Sequence, residues 1–154
     1  MTTELLQHGT CVCIGPVGVL LLGQPGSGKS ELALRLIDQP GAGISGLLRH
    51  ALLVADDQVL IRSKGGQLIA SPPAALAGRL EIRGLGIVEL PHREEAALAL
   101  AVRLAPASDI ERMPEVEKAR MELLGVSLPL VYIDPLSASA PARIRAALDW
   151  LGRR

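Results

Sequence analysis

One stretch constrains the fold of this chain more than any other: VGVLLLGQPGSGKSELALRLI, residues 17–37. Residues 18–22 are apolar throughout, the pattern of a short strand buried on both faces. A glycine-rich loop follows. KSELALRLID then places Leu32, Ala33, Leu36 and Ile37 at helical spacing. Within the loop, Gly23, Gly28, Lys29 and Ser30 fit the pattern GxxxxGK[ST]. The glycines let the backbone curl so that successive N–H groups point inward at phosphate oxygens. Lys29 is expected to reach the β- and γ-phosphates, and the Ser30 hydroxyl to ligate magnesium. Gly23, Gln24, Pro25, Gly26, Ser27, Gly28, Lys29 and Ser30 are therefore the candidate nucleotide-binding set, with ATP and Mg2+ as the expected ligands.

A cradle needs an acidic partner for the metal or the nucleophile. ALLVADD (51–57) supplies one: an apolar strand carries Asp56 and Asp57 to its C-terminal end. In a regular strand the two carboxylates point to opposite faces, which predicts different jobs. One would serve magnesium, and the other would take a proton from an attacking hydroxyl. In RLEIRGLGIVEL (79–90), read as a strand broken by Gly84 and Gly86, Glu81 and Arg83 share a face and Ile82 points to the core.

The rest of the chain alternates strands with helices. Residues 5–14 read as one strand, GPVG as a turn, 39–50 as a glycine-rich loop, and QVLIRSKGGQLIA as a hairpin around KGG. SPPAALAG reads as a connection with one helical turn. MPEVEKARMELLGV has Pro114 and Gly125 where a helix would start and stop, and so predicts a helix. SLPLVYID reads as a strand. The last helix is the clearest, with Ser139 as N-cap, Pro141 in its first turn, Gly152 past its end, and Ile144, Ala147, Leu148 and Leu151 as its buried stripe. EAALALAVRL is ambiguous, because its composition favours a helix and its alternation a strand. An α/β domain with a mixed sheet results.

Composition narrows the function classes. The 154 residues suit one domain with a real core, built from Leu, Val, Ile and Ala because Phe is absent. Sixteen basic and sixteen acidic side chains cancel, which gives no electrostatic footprint for nucleic acid or a membrane surface. Arg153 and Arg154 read as a solvated tail. Cys11 and Cys13 share one strand face and read as buried apolar side chains, without the further ligands that a metal site needs. MTTELLQHG does not read as a signal peptide, and no apolar run approaches the ~20 residues that span a bilayer. The expectation is a cytoplasmic, reduced chain.

Together these pieces resemble the catalytic domain of the HPr kinase/phosphorylase family, bacterial enzymes that phosphorylate a serine on HPr, the small phosphocarrier of the sugar phosphotransferase system. Four features match in order: HG, 21 residues ahead of the cradle lysine (His8, Gly9, Lys29); GKSELAL, similar to the family's GKSETAL; VADD; and LEIRGLGI. The last is the most specific. The resemblance is close over residues 8 to about 90 and weaker to 150. It implies His8 as the active-site histidine, Asp57 as the proton acceptor for the target serine, and Glu81 as a second magnesium-binding side chain beside Ser30. Arg112, in ERMPE, stands where the family has an active-site arginine.

The resemblance also implies a phosphoenolpyruvate-carboxykinase-like, P-loop mixed sheet with flanking helices, in which residues 96–103 form a strand. It implies an HPr-like partner and a homo-oligomer, a hexamer in the family. Residues 1–154 would be one catalytic domain, a short form lacking the family's N-terminal domain. The chain departs from the pattern elsewhere. About ten residues are added near 39–48, VELPHREE replaces a glycine-rich segment, and IDPLSAS carries no arginine where the family's loop for the reverse, phosphorolytic reaction has one. Two other readings fit a cradle of this kind: a nucleotide-sensing module without catalysis, and a P-loop kinase of a small molecule.

Overall fold

The apolar runs form strands wherever they alternate between two buried faces. The computed structural model describes residues 3–152, so the expected tail at Arg153 and Arg154 lies outside the described residues. The strands are β1 (Glu4–His8), β2 (Thr10–Ile14), β3 (Val17–Leu22), β4 (Ala51–Ala55), β5 (Gln58–Lys64), β6 (Gln67–Ser71), β7 (Arg79–Ile82), β8 (Gly86–Glu89), β9 (Ala96–Leu104), β10 (Arg120–Leu123) and β11 (Val126–Ile133). Two α-helices accompany them, α1 (Lys29–Asp38) and α2 (Ala140–Leu151).

Among the described residues, nine strands make one mixed sheet, in the order β1-β5-β6-β9-β3-β2-β4, with β11 also on β9 and β10 on β11. β9 runs parallel to β3 and to β11. The C-terminal ends of these three strands therefore lie at one end of the sheet, the end from which the cradle leaves β3. In open sheets with parallel strands, ligands bind outside such carboxyl ends. β7 and β8 form a separate two-stranded sheet.

β3 shows how an entirely apolar strand serves two cores. Val19 and Leu21 pack with Leu32, Ala33 and Leu36 of α1 and Ile144 of α2. Leu20 and Leu22 pack on the opposite face with Val59, Ile61, Leu68 and Leu128. At roughly 2 kcal/mol per fully buried Leu or Ile, Leu32 and Leu36 hold α1 against the sheet, and thereby hold the cradle at its N-terminus. Cys11 and Cys13 are buried free thiols in the second core, as their shared face predicts. Burial, with Cys13 beside it, pushes the Cys11 thiol far up, so that it stays protonated.

Helix α2 supplies a structural role that its sequence does not announce. Arg145 is only 2% exposed. Its Nη2 donates to the carbonyls of Leu36 and Gln39 at 3.1 Å and of Arg49 at 3.4 Å. The carbonyls that end α1 have no partner within the helix, and this guanidinium gives them one. Asp149 accepts from the Ile44 and Ser45 N–H groups and pairs with Arg49 at 2.8 Å. The glycine-rich 39–50 segment is thus an ordered loop, as expected, closed by a Gly41–Arg49 bridge.

Several expected elements differ. Residues 5–14 are two strands, not one. Gly9 divides them, β1 pairing with β5 while β2 pairs with β3 and β4. The helix expected in MPEVEKARMELLGV is absent. Its second half is β10, paired with β11 across a tight turn in which Leu124 and Gly125 both have positive φ. RLEIRGLGIVEL is a hairpin whose three-residue tip, 83–85, contains one of the two glycines expected to interrupt a single strand. Leu80 is the residue of that hairpin that is fully buried, while Ile82 is half-buried. The ambiguous EAALALAVRL is a strand, β9, as the family resemblance implies. Ile144 is fully buried on α2, while Ala147, Leu148 and Leu151 pack partly buried against the same core.

Candidate active site

The cradle turns on two glycines whose backbones adopt the left-handed region. Gly26 has φ 79° and Gly28 φ 103°, conformations that an L side chain strains to reach. Gly28 precedes α1 as its N-cap, so the free N–H groups of the first helical turn and the helix dipole converge where a phosphate would lie. Lys29 is 7% exposed. Its ammonium donates to the carbonyls of Gly23 at 2.8 Å and Gln24 at 3.0 Å. Burial lowers its pKa from the usual lysine range, against the opposing pull of Asp57 and Asp56.

The two aspartates lie beyond the end of β4, in a turn. Asp56 is 8% exposed. Its Oδ1 accepts from Ser30 Oγ at 2.7 Å and from Thr10 Oγ1 at 2.9 Å. Its Oδ2 lies 3.4 Å from the Glu81 N–H. A carboxylate only accepts, so both hydroxyls must donate to it. The lone pairs of Ser30 are then left for a cation. Asp57 has φ 69°, uncommon for a residue with a side chain and costing about 1 kcal/mol. That geometry turns its carboxylate outward, where it is 69% exposed, with His8 Nε2 3.4 Å from Oδ1. The Gly9 N–H donates to the Asp57 carbonyl at 3.1 Å, which ties the HG pair to the aspartate turn.

A cavity of about 610 Å³ brings these groups together, within the size range of small-molecule sites. His8, Gly26, Gly28, Lys29, Ser30, Asp57 and Glu81 all line it, as do Thr10 and Arg83. Glu81 is exposed at its wall, and Ile82 and Arg83 extend that wall along the β7–β8 hairpin. Arg112 is not brought in: it lies on an exposed loop and does not line this cavity. Among the described residues no cluster of three or more His, Cys, Asp or Glu side chains could hold a metal unaided. The donor set suits magnesium, which takes one or two protein oxygens and completes its octahedron with phosphates and water.

Two supports went unread in the sequence. Thr10 had a signal: it shares a face of β2 with Val12 and Ile14, and a hydroxyl on an otherwise apolar face next to HG asks for a partner. Arg35 had none. It reaches across the fold to donate to the carbonyls of Pro135 at 2.7 Å and Ser137 at 2.9 Å. Pro135 in turn packs near Gly28, so the IDPLSAS segment braces the cradle from behind.

Comparison with known proteins gives the family and the fold. A family model described as HPr Serine kinase C-terminal domain matches residues 1–144. An HPr kinase/phosphorylase of Clostridium tetani is 42% identical over 91 residues, 59% of this chain and 27% of that protein. One of Chlorobaculum tepidum is 37% identical over 138 residues, 82% of this chain and 37% of that protein. The chain thus spans about a third of the length of such curated relatives. The structure of the Hpr(Ser) kinase/phosphatase from Coxiella burnetii superposes with a TM-score of 0.77 at 26% identity, covering 97% of this chain and 96% of that one.

Proposed function

This chain belongs to the HPr Serine kinase C-terminal domain family, and from that premise we propose that it is an ATP- and magnesium-dependent kinase of a serine on an HPr-like phosphocarrier. The observation that carries the proposal is the different placing of two adjacent aspartates, Asp57 lining the cavity and Asp56 buried behind it. Asp56 is held by the cradle's own hydroxyl, and Asp57 stands free at the mouth beside His8.

The roles follow from the positions. The glycine loop and the first turn of α1 hold the nucleotide phosphates. Magnesium, when bound there, would supply positive charge to offset that of the phosphates. Ser30 and Glu81 are its proposed protein ligands, with Asp56 orienting the Ser30 hydroxyl. Lys29 exchanges its bonds to the Gly23 and Gln24 carbonyls for phosphate oxygens, which costs little because carbonyl and phosphate are alternative acceptors for one ammonium. Asp57 accepts the proton of the incoming serine hydroxyl. Its exposure suits this role, since a macromolecular hydroxyl can reach only a base at the surface. His8 fixes the orientation of Asp57. Arg112 receives no step in this scheme. A cytoplasmic location, a homo-oligomeric assembly and action of residues 1–154 as one catalytic domain are part of the same reading.

The test is mass spectrometry of HPr after incubation with this protein, ATP and magnesium, with wild type beside Asp57→Ala. Wild type is expected to yield phosphoserine, and the variant to slow transfer by about 10²–10⁴-fold, the usual worth of a general base. Transfer by the variant at the wild-type rate would remove Asp57 from the scheme. Nucleotide binding by wild type without any phosphoserine would instead favour a nucleotide-sensing module.

A further inference from the structure

Thr10 is wholly buried at the start of β2, and nothing in the phosphate-cradle pattern calls for it. Its neighbours restrain it tightly. Gly9, just before it, lies so close to β3 that a Cβ there would sit 2.8 Å from the Leu21 carbonyl oxygen. Thr10 itself is paired with Leu21, two residues ahead of the cradle. The hydroxyl therefore stands on a strand packed closely against β3, just ahead of the cradle, and it donates to Asp56 Oδ1 at 2.9 Å.

That oxygen is the same one that takes the Ser30 hydroxyl proton at 2.7 Å. With Thr10 donating from one side, Oδ1 cannot swing away, and the Ser30 proton has a fixed acceptor. The Ser30 lone pairs then face the cavity. Without Thr10, the carboxylate keeps only the Ser30 hydroxyl on Oδ1 and the long Glu81 N–H contact on Oδ2. It can then rotate, and Ser30 can turn its lone pairs elsewhere.

We propose that Thr10 is a positioning residue for magnesium: through Asp56 it orients the Ser30 hydroxyl toward the cation that accompanies the nucleotide. The inference rests on the functional reading above. It concerns the metal-bound nucleotide and not the acceptor, so it is tested without HPr.

The experiment titrates a fluorescent ATP analogue into wild type, Thr10→Val and Thr10→Ser, each with saturating magnesium and again with EDTA. Wild type should bind more tightly with magnesium. Thr10→Val, nearly the same shape without the hydroxyl, should lose about tenfold in affinity with magnesium, in line with other partners that orient metal ligands. It should match wild type in EDTA. Thr10→Ser should recover most of the loss. Thermal denaturation shows whether each variant is folded. Should Thr10→Val melt below the assay temperature, Thr10→Ala supplies the second variant without a hydroxyl. Equal weakening with magnesium and with EDTA would mean that Thr10 only supports the fold, and no weakening at all would overturn the proposal outright. A wild-type affinity indifferent to magnesium would instead overturn the metal reading itself, taking this inference with it.

Discussion

Replacing Asp149 by Asn should cost stability in a way that pH reveals. The carboxylate is 8% exposed in its side chain and holds four bonds. Oδ2 accepts from the Ile44 N–H at 2.9 Å, the Ser45 N–H at 3.1 Å and Arg49 Nη2 at 2.9 Å, and Oδ1 pairs with Arg49 Nη1 at 2.8 Å. Hydrogen bonds to a charged group are worth about 1.5–3 kcal/mol each, but these are not additive. Ile44 and Ser45 are exposed, so water can satisfy their N–H groups in the variant. Arg49 is 22% exposed in its side chain, which discounts the ion pair. A loss of about 2–3 kcal/mol at neutral pH follows.

The sign of the pH dependence is fixed by the direction of the Asp149 pKa. Burial pushes it up, but the Ile44 N–H, the Arg49 guanidinium and the Ser45 N–H outweigh that and hold it below its usual 3.8. A depressed carboxylate contributes fully above its unfolded value and loses that contribution as pH falls through the folded one. The gap between wild type and Asp149→Asn should therefore be full at neutral pH and close in acid, below the ordinary carboxylate range. Urea denaturation at several pH values measures it, and hydrogen exchange at Ile44 and Ser45 locates it. A gap that is absent at neutral pH, or equally wide in acid, would refute the reasoning.

Two further substitutions probe the site. Lys29→Met should abolish the phosphoryl transfer proposed above yet raise Tm slightly, because burial holds the ammonium below its usual pKa and so weighs against folding at neutral pH; thermal denaturation reads it, and a Tm well below wild type would contradict it. Gly9→Ala should destabilise by about 2 kcal/mol, since its Cβ would meet the Leu21 backbone carbonyl at 2.8 Å, which cannot move without β3; urea denaturation with an unchanged midpoint would show that the strand gives way freely.

How much of this was legible depended on whether the signal was local. The cradle was, since strand, glycine loop and helix are each written in adjacent residues. LLVADD was too, because an apolar run with a polar end has one reading. MPEVEKARMELLGV was not. Pro114 and Gly125 mimic helix punctuation, but Gly125 serves a hairpin turn with Leu124, and Met121 and Leu123 alternate over too few residues to outvote it. β9 shows the opposite case: alanine-rich composition favours a helix, and burial between β3 and β11 decides for a strand. Arg145 is unreadable in principle from α2 alone. A charge inside a helix reads as solvated, and only the unpartnered carbonyls at the end of α1 and the approach of Arg49 make its burial sensible.

The aspartate pair shows a right expectation reached through a different geometry. Strand alternation predicted that Asp56 and Asp57 diverge. β4 in fact ends at Ala55, and strand geometry no longer governs either residue. What separates them is the left-handed backbone of Asp57 together with hydroxyls supplied from β2 and α1. This matters for chemistry. A pair on opposite faces of a strand would put one carboxylate behind the sheet, away from the cradle. A turn keeps both within reach of the cradle, one inward on Ser30 and one outward beside His8. The strain at Asp57 is then the cost of having two carboxylates with different environments at adjacent positions, and the proposed mechanism needs that separation: one carboxylate to orient a metal ligand, its neighbour free to take a proton.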